Sequence, residues 1–167
     1  MKSCNSVCSE SLLRRLSQSF PVQFGFNGNM IEEATAAGFP NHVEAEAVRN
    51  LAQPMVVADN ITIEPSTPLL SSITMIAPSP DWFTGLDSFD MRNPATNTWY
   101  GKVSLETYPY DSGTDSGTTY NARNLPTFPQ VNVFRITQDT APATGELLGP
   151  NGSEVLPVGK WECTLVV

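Results

Sequence analysis

The chain has 167 residues but a single histidine, His42, and only three cysteines, Cys4, Cys8 and Cys163. With one imidazole in a segment unrelated to any nucleophile, no Ser-His-Asp or Cys-His set can be assembled. No paired His/Cys spacing lies near the chain's acidic loops, and the spacing of Cys4 and Cys8 alone is no metal site. A soft metal such as zinc is therefore a weak second choice. Lys and Arg number 9 against 17 Asp and Glu, a formal charge of −8. The clustered positive charge of a nucleic-acid surface is therefore absent. No stretch approaches the roughly 18 apolar residues of a membrane span. The opening MKSCNSVCSESLLRRLSQSF lacks the continuous apolar core of a secretory signal. No internal repeat or low-complexity linker divides the chain.

Fourteen prolines and eleven glycines lie between short apolar runs, and 40% of the residues are hydrophobic. That is enough for one domain with a core, and the many turns point to an all-β sandwich. Residues 1–20 read as a mobile lead, with a helical turn at SLLRRL, and PVQFGF reads as an early strand. Helices are expected at 29–37 and 41–51, each opening on an Asn suited to capping, with Gly38 closing the first. Strands are expected at 59–64, 69–77, 82–91, 98–108, 117–121, 131–137 and 160–167. In TWYGKVSLET, Trp99, Val103 and Leu105 alternate with Tyr100, Lys102 and Glu106, the period of a half-buried strand.

Two segments carry chemistry. MIAPSPDWFTG leaves an apolar strand through Pro-Ser-Pro into a loop around Asp81, and LETYPYDSGTDSGTTY leads into a loop bearing Asp111 and Asp115. Three carboxylates on two strand-end loops suit a hard cation such as calcium, which takes six to eight oxygens at roughly 2.3–2.6 Å. Gly113 and Gly117 allow the chain to turn back, and Ser112, Thr114, Ser116 and Thr118 add hydroxyls. Asp and Ser in Gly-rich segments are also ordinary turn residues, and the loop fails the EF-hand pattern, with Gly113 at its third position and Ala122 at its twelfth. Asp115-Ser116-Gly117-Thr118 matches the aspartic-hydrolase loop as well, but only one copy exists, so a homodimer would have to complete the dyad.

Around these aspartates, Trp82 and Phe83 are expected as core anchors that hold the loop. Asp87, Asp90 and Glu106 are expected to face solvent or sit in turns, and His42 to lie on the surface. For Cys163, in the terminal strand KWECTLVV, a buried unpaired thiol is expected, with a disulfide to the N-terminal segment as the alternative. Asn60 and Asn151 head glycosylation acceptor triplets.

MIAPSPDWFTG, the following strand with Trp99, YPYDSGTDSGTTY and LPTFPQVNVFRIT together resemble the spondin domain family, most closely from Leu69 to Thr137. The resemblance implies an antiparallel β-sandwich of the calcium-dependent lipid-binding (C-two) type, here over residues 21–167 with short helices in its N-terminal part. It also implies an extracellular, secreted, non-enzymatic adhesion or recognition module that binds calcium through Asp81, Asp111 and Asp115. The partners so implied are a cell-surface or extracellular-matrix protein, or microbial surface carbohydrate, with no nucleic acid. The alternative is a purely structural calcium with the partner on a sheet face. Tyr110 stands where the family has Trp and Ser112 where it has Ala, both leaving the carboxylates in place. The family's cysteine pairs are not reproduced in FDMRNPATNTW, and its first strand is not recognisable before Phe39. An extracellular protein whose signal is absent from this version is the expectation.

Overall fold

The structure, a computed structural model, describes residues 2–3, 28–39 and 61–166. One helix, α1 (Gly28–Ala36), is followed by strands, with a short strand before it. The strands are β1 (Lys2–Ser3), β2 (Thr62–Ile63), β3 (Leu69–Met75), β4 (Trp82–Asp90), β5 (Arg92–Asn93), β6 (Thr98–Trp99), β7 (Lys102–Thr107), β8 (Pro109–Asp111), β9 (Phe134–Arg135) and β10 (Gly159–Thr164). Among the described residues every strand pairing is antiparallel. One sheet has four strands in the order β3-β4-β8-β9; the others are the pairs β1-β2, β5-β6 and β7-β10.

Alternation along β7 and β10 sets the second layer. Val103 opposes Cys163 and Leu105 opposes Trp161, and these four face inward, while Lys102, Ser104, Glu106, Lys160, Glu162 and Thr164 are exposed. Their apolar face joins Leu70 of β3 and Phe89 of β4 in one core with Ile61, Ile63 and Met91. The rings of Phe89 and Trp161 meet across the layers at 6.5 Å. Two antiparallel layers thus share a core, the arrangement expected of strands that are apolar on one face only.

A second core, of Trp82, Ile136 and Leu147 with Ile76, Tyr120, Ala141 and Val155 packed on it, lies below the start of β4. Trp82 and Phe83 are only 2% and 3% exposed, as anchors of the loop should be. Tyr110, standing where the family has Trp, stacks on Phe83 at 5.5 Å between ring centroids.

Several expectations change. The helix over 29–37 forms, with Gly38 closing it at φ +82, but it starts at Gly28, so Asn29 lies inside it. The helix at 41–51, PVQFGF, SLLRRL and His42 lie outside the described residues. The strand expected over 98–108 is broken at Tyr100 and Gly101. There the Tyr100 amide turns to the Met91 carbonyl, and Tyr100, expected on the outer face, packs on the core beside Trp99. No strand forms over 117–121, where Asp115 instead organises the chain. Only Phe134–Arg135 of 131–137 is regular. Cys163 is disulfide-bonded, its partner outside the described residues, so the buried thiol expected at this position is not free. Asn151 is exposed in a turn.

Candidate metal centre

Asp81 is placed by the turn that the Pro-Ser-Pro sequence forces between β3 and β4. Ser79 caps that turn, its amide donating to the Ile76 carbonyl and its hydroxyl accepting from the Trp82 amide at 3.1 Å. Antiparallel pairing of β4 with β8 sets Trp82 opposite Asp111, and the Ser112 amide donates to the Asp81 carbonyl. Sheet register thereby brings together loops that lie thirty residues apart in sequence.

Asp81 is 0% exposed. Its Oδ2 accepts from the amides of Thr114 at 3.0 Å and Asp115 at 2.9 Å, and more weakly from the Ser112 and Thr114 hydroxyls at 3.3 and 3.4 Å. Its Oδ1 is buried with no hydrogen-bond partner. A buried carboxylate oxygen left in this state is costly. Burial raises the Asp81 pKa, the Asp115 and Thr114 amides pull it down, and the Asp115 charge raises it again.

Asp111 accepts from the Gly113 amide at 2.7 Å, a turn of its own making. Desolvation first, and then the Asp81 charge, push its pKa up to about 6, against the Gly113 amide and the Trp82 side chain, which favour the ionised form. The two carboxyl groups thus act on each other, the Asp81 charge and side chain both raising the Asp111 pKa, a situation that a shared proton or a cation relieves.

Asp115 has a different job. Its two oxygens accept from the amides of Gly117, at 2.7 Å, and Leu125, and it is only 5% exposed. It acts on Asp81 through its charge and its amide, and it ties the loop to the segment that follows. The glycines are required. Gly113 has φ +73, and a Cβ there would lie 2.3 Å from the Val131 carbonyl oxygen; a Cβ on Gly117 would lie 2.4 Å from that of Ala122.

All three aspartates therefore converge, but not as equivalents. Among the described residues no cluster of three or more His, Cys, Asp or Glu side chains is arranged to hold an ion as it stands. The oxygen-only donor set and the orphaned Asp81 Oδ1 nonetheless fit a hard cation. The hydroxyls divide: Ser112 and Thr114 are buried at the site and bonded to each other, whereas Ser116 and Thr118 are exposed. Asp87 is exposed beside Ser88, and Asp90 pairs with Arg92 at 3.1 Å, so neither joins the site. Sequence reasoning missed the backbone of Leu125, Thr127 and Val131, which braces the loop; the Pro-bounded run LPTFPQV was its only signal.

A β-rich domain with a buried acidic site between two strand-end loops is thus defined. The family model Spondin_N matches residues 24–147, and the chain belongs to that family. It is similar to Spondin-2 of Homo sapiens, 44% identical over 72 residues, which are 43% of this chain and 21% of that protein. It is also similar to Spondin-2 of Rattus norvegicus, 43% identical over 77 residues, 46% of this chain and 23% of that protein. Spondin-1 of Xenopus laevis is 34% identical over 99 residues, 59% of this chain and 12% of that protein. The chain spans less than a quarter of the length of these relatives.

Proposed function

We propose that this domain is an extracellular recognition module of the spondin family, a sandwich of the C-two type, in which calcium is held by Asp81 and Asp111 with Asp115 bracing the loop. The observation that carries the reading is the buried, unpartnered Oδ1 of Asp81, in a carboxylate whose charge raises the pKa of Asp111. A bound calcium would supply the positive charge that these carboxylates lack. The residues themselves do the rest: the Thr114 and Asp115 amides aim Asp81, the Gly113 amide aims Asp111, and Trp82 roots both in the second core. The disulfide at Cys163 supports an oxidising, extracellular setting. A cell-surface or matrix protein, or microbial surface carbohydrate, remains the proposed class of partner. The hydrolase reading loses support, because a buried Asp115 with both oxygens accepting amides is not free to meet a second copy's carboxylate.

Thermal unfolding in calcium, in magnesium and in chelator, on the wild type and on Asp111→Asn, tests the site. Calcium at about 100 times its dissociation constant stabilises by roughly 2.7 kcal/mol, a shift of several degrees. The wild type should show that shift with calcium in preference to magnesium. Asp111→Asn, relieved of repulsion with Asp81, should be at least as stable in chelator and no longer respond. An unresponsive wild type would reject calcium as ligand. Adhesion that survives in a variant blind to calcium would make the ion purely structural and move the partner to a sheet face.

A further inference from the structure

The chain from Leu125 to Arg135 runs antiparallel beside the aspartate loop. Phe134 opposes Asp111, the Val131 amide donates to the Gly113 carbonyl, the Thr127 amide to that of Thr114, and the Ser116 amide to that of Leu125. Gly113 and Thr114 are neighbours, whereas Val131 and Thr127 are not. Phe128, Pro129 and Gln130 are therefore extruded as a bulge between two fixed points. Phe128 is 98% exposed at its tip, flanked by Leu125 at 55%, Val131 at 52% and Phe134 at 36%. These are four of the eight large hydrophobic side chains exposed among the described residues. A phenylalanine held in water forgoes the free energy of burial, and here the backbone bonds hold it out.

Charge on the same segment runs against the rest of the molecule. From Ser116 to Gln138 there is no Asp or Glu, although the chain carries −8 overall. Arg123 is exposed and forms no ion pair among the described residues. Arg135 lies with its guanidinium 4.0 Å over the Tyr108 ring, which fixes its position while leaving the residue exposed. An apolar tip between two arginines has its complement in an apolar pocket with carboxylates at the rim. We infer that the Leu125–Arg135 ribbon is a docking surface for a protein partner whose apolar pocket receives Phe128 and whose rim carboxylates meet Arg123 and Arg135. The surface is built by backbone bonds and does not depend on the calcium reading.

A random peptide library displayed on phage, panned on the immobilised full chain in calcium and again in chelator, tests the surface. Enriched peptides should combine aromatic or aliphatic residues with Asp or Glu. Phe128→Ser should weaken the synthesised peptides by at least about tenfold, and Arg123→Ala by less and in a salt-dependent way, with unchanged unfolding midpoints. No enrichment, or equal binding by Phe128→Ser, overturns the inference. So does self-association that Phe128→Ser abolishes, which would make a second copy the occupant, or binding to phosphatidylcholine–phosphatidylserine vesicles that the same variant abolishes. Selection of acidic apolar peptides in chelator, alongside a failed calcium shift, would leave this surface standing and reject only the metal.

Discussion

At the scale of the residue, the Asp81–Asp111 pair makes a prediction whose sign is fixed by geometry. Asp111 has its pKa raised from 3.8 to about 6, first by desolvation and then by the Asp81 charge. In the metal-free fold it holds its proton longer than in the unfolded chain, so its contribution to stability is complete below pH 3.8 and lost as pH rises through about 6. The difference in urea midpoint between wild type and Asp111→Asn in chelator should therefore grow in the variant's favour from about pH 4 to pH 6.5. Under the proposed function calcium would bind the ionised form and reverse the trend. A difference that stays flat with pH would mean that the Asp111 pKa is not raised in the fold. These aspartates were legible in sequence through the family resemblance, since short carboxylates among Gly and Ser are also ordinary turn residues. Their division of labour was not. Whether an aspartate faces another carboxyl or a row of amides depends on how two loops dock, and Asp115 looked the same as Asp111 until the Gly117 and Leu125 amides were seen to take its oxygens.

At the scale of the element, the aspartate loop and the ribbon beside it stand or fall together. Gly113→Ala would put a methyl 2.3 Å from the Val131 carbonyl oxygen at a backbone φ of +73. We expect a loss of more than about 1 kcal/mol in urea unfolding, with earlier proteolytic cleavage between Leu125 and Arg135. Unchanged stability would show that the ribbon is not clamped to the loop. Strands β3, β4, β7 and β10 were readable because each alternates or runs apolar between Pro and Gly punctuation. The failures share a cause. Residues 117–121 have strand-forming Thr and Tyr but form no strand, the Gly117 amide being drawn to the Asp115 carboxylate. At Tyr100 an alternating pattern is overruled by one amide turning to the Met91 carbonyl. Within β4, Ser88 takes φ 51 where the register with β3 slips between Leu70 and Ser72. The hydroxyls of Ser71 and Ser72 accept the displaced amides of Ser88 and Leu86. Period alone carries no mark of such a bulge.

At the scale of the whole molecule, two cores are seen among the described residues, one shared by the layers and one under the acidic site. Cys163 lies in the first, and its disulfide ties β10 to a part of the chain distant in sequence. Reduction should cost about 2–5 kcal/mol and lower the thermal midpoint markedly; an unchanged midpoint in a strong reductant would show that the bridge is not needed. By itself the sequence determined the β class of the fold, the family and the acidic balance of the chain, because each follows from residue type, order and spacing. Through the family resemblance it also nominated the three aspartates. Only the tertiary structure decided that Cys163 is bonded, that Asp81 keeps one oxygen unpartnered, that Asp115 braces the loop, and that Phe128 stands in water. Each of these is a relation between segments far apart in the chain, set by strand register and loop docking, and no local pattern of side chains encodes it.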